Sequence, residues 1–152
     1  MNKRVARLTE DDWALFADLR LQALSDAFGV DDDQYRREAR LTETEWRYRI
    51  SDHAPFAAWL CGRPVGIIAA HREDDQNVYL YSLWLNPAVR GHGLAHELVA
   101  ASLDWARDLS ARTVHLRVAA DNAAARSVYE SFGFTAEQQV YHRELVMSLT
   151  VG

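Results

Sequence analysis

The sequence predicts an α/β domain in which helices cover both faces of a mixed β-sheet. Three observations predict it. Two short apolar runs joined by Gly62-Arg63-Pro64 read as an antiparallel hairpin. A strand–helix–strand–helix order follows in the second half, and a helix between two strands is the crossover that a parallel pair requires. The apolar period also changes from helical to alternating and back, as it does in a layered fold. With 152 residues the chain fits one domain, 1–152, that can bury a core without staples.

The elements follow in order. A short strand is expected over 4–8, then a helix to about residue 27. Thr9 and Asp12 mark that helix's start, Leu15, Phe16, Leu19 and Ala23 its apolar stripe, and Gly29 its stop. A second helical region lies within 33–50, where the acidic start Thr42-Glu43-Thr44-Glu45 suits the positive end of a helix dipole. Residues 56–61 and 65–71 form the hairpin strands, and the polar 73–77 a loop. The aromatic and aliphatic run 78–85 is the strongest strand, ended by Pro87. A helix over about 91–109 carries the apolar face of Leu94, Leu98, Val99, Leu103, Ala106 and Leu109. In the strand 113–118, Val114, Leu116 and Val118 point one way and His115 and Arg117 the other. Asn122 or Asp121 caps a helix to about 132, Gly133 stops it, and a final strand region runs over 134–149.

Composition removes several functional classes. Apolar residues make up 49% and charged residues 26%, as in ordinary soluble domains. The net charge of −5 argues against a partner held through phosphate-backbone contacts, so no nucleic acid is expected. The longest apolar run, 54–61, is too short to span a bilayer, so no membrane is expected. The polar stretch Thr9 to Asp12 stands where the apolar part of a leader would follow a basic start, so no leader is expected either. A lone cysteine, Cys61, excludes an internal disulfide and a cysteine metal cluster, and a cytoplasmic location suits it. It reads as a small turn hydrophobe and not a nucleophile. His53, His115 and His142 show no metal-ligand spacing, and no metal is expected.

The most informative stretch is Asn86-Pro87-Ala88-Val89-Arg90-Gly91-His92-Gly93-Leu94-Ala95, between a buried strand and an amphipathic helix. A helix's first turn leaves backbone N–H groups without partners at the positive end of its dipole, which makes it an anion site. Gly91 and Gly93 let an anion approach the backbone closely, and Arg90 can add a charged donor. The glycine spacing is wrong for a dinucleotide fingerprint, and no Gly-Lys-Ser/Thr follows as in a P-loop. About thirty residues on comes Asn122-Ala123-Ala124-Ala125-Arg126-Ser127-Val128-Tyr129-Glu130-Ser131-Phe132-Gly133-Phe134.

Arg90-x-x-Gly93-x-Ala95 after an aromatic strand resembles the acyl-CoA pyrophosphate loop of the GCN5-related N-acetyltransferases (GNAT), and the Asn122 segment resembles that family's second signature. The flanks Arg7-Leu8-Thr9 with Asp12, and Val146-Met147-Ser148-Leu149, are similar to the family's first and last elements, so the resemblance covers nearly the whole chain. It implies the acyl-CoA N-acyltransferase fold, a mostly antiparallel sheet with one splayed parallel strand pair. It further implies acetyl-CoA as co-substrate and acetyl transfer to a primary amine of a small molecule or peptide by direct attack. Main chain at Leu83 and Leu85 would pair with the pantetheine arm. The amides of Gly91, His92, Gly93, Leu94, Ala95 and His96, with Arg90, would hold the pyrophosphate. Asn122 would bond the pantetheine or cap its helix. Tyr129 would protonate the departing thiolate. A homodimer is compatible with the family.

The chain departs from the family at the general base. The positions where members carry glutamate fall here on Tyr79 and Arg117. Glu73, Asp74, Asp75, His71, or a water relay ending at Tyr79 or Tyr81 are the alternatives. The gap leaves a non-catalytic acyl-CoA-binding domain as a second reading, while the acidic balance disfavours an acetyltransferase toxin acting on charged tRNA. The acceptor segments carry Asp26, Asp31, Asp32, Asp33, Glu38, Trp46, Tyr48, Glu137 and Tyr141, acid and aromatic groups that would suit a cationic amine.

Overall fold

Side chains along a strand alternate between faces, so a strand buried on both sides reads as an unbroken apolar run. Val65-Gly66-Ile67-Ile68-Ala69-Ala70 is such a run, and Ile67 and Ile68, which face opposite ways, are both fully buried. This strand lies near the centre of the sheet in the computed structural model, which describes residues 2–141 and 143–152.

The described strands are β1 (Lys3–Arg7), β2 (Ala54–Leu60), β3 (Arg63–Arg72), β4 (Asn77–Leu85), β5 (Thr113–Ala119), β6 (Thr135–Tyr141) and β7 (Glu144–Thr150). They form one seven-stranded sheet in the order β1-β2-β3-β4-β5-β7-β6. Every neighbouring pair is antiparallel except β4 and β5, which are parallel. The helices are α1 (Trp13–Phe28), α2 (Asp33–Ala39), α3 (Glu43–Asp52), α4 (Leu94–Asp108) and α5 (Ala123–Ser131). On one face α4 lays Leu94, Leu98, Val99, Leu103 and Ala106 onto Ile68, Val78, Leu80, Val114 and Leu116. On the other, α1 and α3 pack Phe16, Leu19, Trp46 and Ile50 against Ala57 and Ile67. Each large side chain so buried contributes on the order of 1.5–3 kcal/mol.

The expected elements are present with four adjustments. The region 33–50 is two helices. Asp32 accepts from the N–H of Gln34 and Tyr35 and starts α2, and a reciprocal Thr42–Glu45 capping box starts α3. The hairpin turn falls on Cys61-Gly62, both at positive φ (52° and 80°), as a two-residue turn requires. Pro64 therefore lies inside β3, where a bulge opposite Ala58 and Trp59 tolerates a residue without an N–H. The helix after the glycine loop begins at Leu94 and not at 91. The final strand region is a hairpin, β6 and β7.

The helices on the α1 face are joined through one buried carboxylate. Glu38 of α2 is 6% exposed and accepts from Arg20 of α1 (2.9 and 3.1 Å), from Arg49 of α3 (2.7 Å) and from Gln34 (3.0 Å). Burial opposes its ionisation, but the hydrogen bonds and charge of Arg20, with Gln34 and Arg49, outweigh it and hold the carboxyl below 4.5. Removing one partner of such a pair leaves a buried charge uncompensated. Glu38→Ala should therefore cost roughly 3 kcal/mol in urea unfolding at neutral pH. Because the folded pKa is depressed, this contribution is complete above the unfolded value and is lost as pH falls. The gap between wild type and Glu38→Gln should close as the pH falls through and below the ordinary carboxylate range. A gap that does not change over that window would refute the assignment.

Gly66 allows β3 to approach β4. A Cβ there would sit 2.3 Å from Leu85 Cδ2 and 2.9 Å from the Trp84 carbonyl oxygen. Gly66→Ala should destabilise by about 2 kcal/mol, the range for overpacking, as read by the urea midpoint.

Candidate active site

Parallel strands that stay paired expose no backbone between them. β4 and β5 pair only from Asn77↔Thr113 to Leu80↔Leu116, yet β4 runs on to Leu85 and β5 to Ala119. The ladder ends where β4 bulges. Its register against β3 shifts between Ile67 and Ala69, and Ser82 takes a positive φ of 60° that a non-glycine residue rarely adopts. The guanidinium of Arg20 donates to the Ser82 hydroxyl, so the Arg20–Glu38 pair also anchors the bulge. Leu83 and Leu85 lie on the parted stretch. The Leu85 carbonyl accepts from Arg90 Nε at 3.2 Å.

The glycine loop closes one end of this cleft. Asn86 Oδ1 accepts from the Ala88 N–H at 2.9 Å and fixes a single 3₁₀ turn over Pro87–Val89. Gly91 and Gly93 follow with φ of 90° and 79°. Their freedom is thus needed for backbone conformation as well as for space. Gly93 is the N-cap of α4 and has no side chain to occupy the first-turn N–H groups of Leu94, Ala95 and His96. The loop is exposed at Arg90, Gly91, Gly93 and His96. Arg90 is tied to Asp26 (3.2 Å) as well as to Leu85, and this commits Asp26, expected at the acceptor site, to the loop. Lys3, which no motif singles out, donates to the His92 carbonyl at 3.0 Å and sits 3.8 Å from Glu97. Asn122 caps α5 by accepting from the Ala125 N–H at 3.1 Å. Tyr129 of α5 is 5% exposed and packs edge-on against Phe134. Burial, and then the neighbouring Tyr79, push its hydroxyl above the usual tyrosine range.

On the opposite face a cavity of about 700 Å³ opens among α1, α2, α3 and β4. Its wall nearest the parted strands is Tyr81, the first β4 residue past the ladder's end, with His53 beside it. Tyr81 Oη and His53 Nδ1 are hydrogen-bonded. His53 Nε2 lies 3.4 Å from Asp52 Oδ2, and His71 Nε2 lies 3.9 Å from the same oxygen. The two imidazoles stack at 4.0 Å with planes 19° apart. Burial, then the charge of His71, keep His53 below the usual 6.5 against the pull of Asp52. Burial pushes Tyr81 up to about 12.

The structure brings His53 together with His71, which the sequence offered only as a base candidate. Donor atoms of Asp52, His53 and His71 lie within 4.8 Å of one another. His115 contacts Glu73 and packs 5.2 Å from Tyr79, while His142 lies outside the described residues. Of the other base candidates, Asp74 accepts from the N–H of Gln76 and Asn77 (2.8 and 2.9 Å) and holds the loop, and Asp75 pairs with Arg72 at 3.4 Å. Two expected acceptor contacts are core instead. Trp46 is buried edge-on against Phe16, and Glu38 is enclosed by its arginines. Tyr48 stays 70% exposed at the cavity rim.

No helix among the described residues is long and apolar enough to cross a membrane. The chain is 34% identical over 131 residues to a mycothiol acetyltransferase of Corynebacterium glutamicum, covering 82% of this chain and 43% of that protein. It is 24% identical over 144 residues to an uncharacterized N-acetyltransferase of Methanocaldococcus jannaschii, covering 90% and 62%. The chain thus spans about half the length of these relatives. Its fold matches that of a PaiA N-acetyltransferase from Thermoplasma acidophilum, crystallised in complex with coenzyme A, with TM-score 0.79, 15% identity and 99% of each chain covered. Residues 13–134 match the acetyltransferase (GNAT) family, and with the parted parallel strands and the glycine-capped helix beside them, the chain belongs to that family.

Proposed function

We propose that this chain is an N-acetyltransferase of the cytoplasm that carries acetyl from acetyl-CoA to a primary amine of a small molecule or peptide. The observation that carries the reading is the end of the β4–β5 ladder beside the start of α4, which brings unpaired strand backbone and free first-turn N–H groups to one cleft. A thioester arm with amide groups fits the first, and a pyrophosphate fits the second. Main chain at Leu83 and Leu85 would take the pantetheine, and the amides from Gly91 through His96, with Arg90, the pyrophosphate. To meet the phosphates, Arg90 would exchange Asp26 for them. Asn122 would keep its cap, with its amide nitrogen as a donor toward the arm.

In the proposed reaction a neutral amine attacks the thioester carbonyl directly, polarised by backbone N–H on the parted β4. The thiolate then leaves with the proton of Tyr129, whose raised pKa keeps it in the acid form. The absence of carboxylates at Tyr79 and Arg117 favours the second reading, a domain that binds acyl-CoA without turnover. The two are separable. Calorimetry should show acetyl-CoA binding, weakened at least about 10-fold by Gly91→Val, because a β-branched residue at that φ is strained by about 1–2 kcal/mol and shifts the loop. The space around Gly91 is open, so the fold should survive. No binding to folded wild type would sink both readings. Tyr129→Phe should bind acetyl-CoA as wild type does and lose about 100-fold in kcat; binding by wild type without transfer to any amine would select the second reading.

A further inference from the structure

Resting on the acetyl-transfer reading, we propose that Asp52, His53 and Tyr81 form the proton-accepting relay for the incoming amine. Three facts of geometry carry it. Tyr81 is the first β4 residue beyond the last β4–β5 pair, so its side chain stands where the thioester cleft opens. It also lines the 700 Å³ cavity on the α1 face. Its hydroxyl is hydrogen-bonded to His53 Nδ1, while His53 Nε2 faces Asp52 Oδ2 at 3.4 Å. With the proton on Nε2, the ring accepts from Tyr81 and turns its N–H toward the Asp52 carboxylate at 3.4 Å. An acid, an imidazole and a hydroxyl are then aligned in the order that draws a proton away from the hydroxyl.

The step balances without any further reactant. As the ammonium gives a proton to Tyr81 Oη, the Tyr81 proton passes to His53 Nδ1. The amine is left neutral and His53 becomes an imidazolium paired with Asp52. The amine lone pair then forms the C–N bond as the C–S bond breaks; the departing thiolate takes the Tyr129 proton, and the second proton of the attacking nitrogen restores the Tyr129 hydroxyl, leaving a neutral amide and a thiol. Half-exposed Asp52 lies at the mouth of the cavity, where the imidazolium returns its proton to water. Tyr81, held in its hydroxyl form at neutral pH, serves as a conduit and not as the base. Desolvation and the neighbouring His71 keep His53 neutral and ready to accept.

The groups that face His53 are His71 of β3, Tyr81 of β4, and Asp52 and Arg49 of α3; Arg20 of α1 and Glu38 of α2 stand behind Tyr81. The relay therefore predicts a low-pH limb in kcat below the ordinary histidine value, with activity rising as His53 deprotonates. His71→Ala removes a like charge and some desolvation, so it should move that limb to higher pH. His53→Gln and Tyr81→Phe should each lower kcat about 100-fold, with acetyl-CoA affinity, read by calorimetry, changed less than about twofold. His53→Gln should also abolish the limb. The acceptors used are spermidine, lysine amide and an unblocked tetrapeptide, with thiol release as the readout.

Transfer by His53→Gln at near wild-type rate with the limb intact would overturn the relay and leave acetyl transfer standing. A limb that moves to lower pH in His71→Ala would likewise overturn it. Acetyl-CoA binding with no transfer to any of the three acceptors would sink the transfer reading and the relay with it.

Discussion

The constraint on which the molecule depends is the parting of two parallel strands in the middle of an otherwise continuous sheet. Unpaired strand backbone is costly when dry, so a sheet closes its ladders unless something prevents it. Here the bulge at Ser82 prevents it by turning β4 out of register with β5 after Leu80. A bulge at a residue with a Cβ is strained, and it is held from outside. Arg20 reaches it from α1, and Arg20 is itself fixed by Glu38, which α2 supplies and Arg49 of α3 shares. The buried ion cluster thus couples three helices to the shape of one strand. Its desolvation cost argues against a purely stabilising role, because apolar residues of the same volume could hold the helices as well. A fixed hydrogen-bond donor at Ser82 is what apolar residues could not provide.

The parted strands also divide the labour between the two faces. The α4 side carries most of the apolar core and presents rigid features: the helix start, Asn122 at the cap of α5, and buried Tyr129. The α1 side has the smaller core and the open cavity, and its charged groups lie around that cavity. Tyr129 on the first face and the Tyr81–His53 pair on the second then flank the cleft from opposite sides. That separation suits a reaction in which one proton leaves the nucleophile and another reaches the leaving group.

Much of this was legible in the sequence because each feature rests on local chemistry. The 3.6-residue and two-residue periods gave the elements, and the glycine loop before an amphipathic helix gave the uncapped helix start beside the parted strands. Pairing was harder. A two-residue turn at Cys61-Gly62 sets Leu60 opposite Arg63, but the bulge near Pro64 shifts the register by one, so Ala54 pairs with Ala70. That single shift brings His53 alongside His71, and no spacing along the chain announces it. Glu38 and Trp46 were misjudged for a related reason. On short amphipathic helices, an acid and an aromatic on the covered face look the same in sequence as those on the open face. Only the partners Arg20 and Phe16, from a different helix, decide between the two.

The charge pattern of the cavity bears on how an amine could both dock and react. An alkylamine arrives protonated, and a carboxylate that pairs with the ammonium also holds the proton that must leave. In the cavity the two tasks fall to different groups. Glu38 is consumed by two arginines and is unavailable to the substrate, whereas Asp52 is half exposed beside His53. Arg49, close to both, lowers the proton affinity of His53 without pairing with Asp52. In the proposed relay, an ammonium drawn toward Asp52 would meet a neutral imidazole and a hydroxyl before the thioester, and would lose its proton in passing. A carboxylate in the position of Tyr79, as in many members of the family, would offer the base directly. With tyrosine there, the proposed relay would shift that burden one turn of the pleat along β4 to Tyr81, with the histidine at the end of α3 in place of the missing acid.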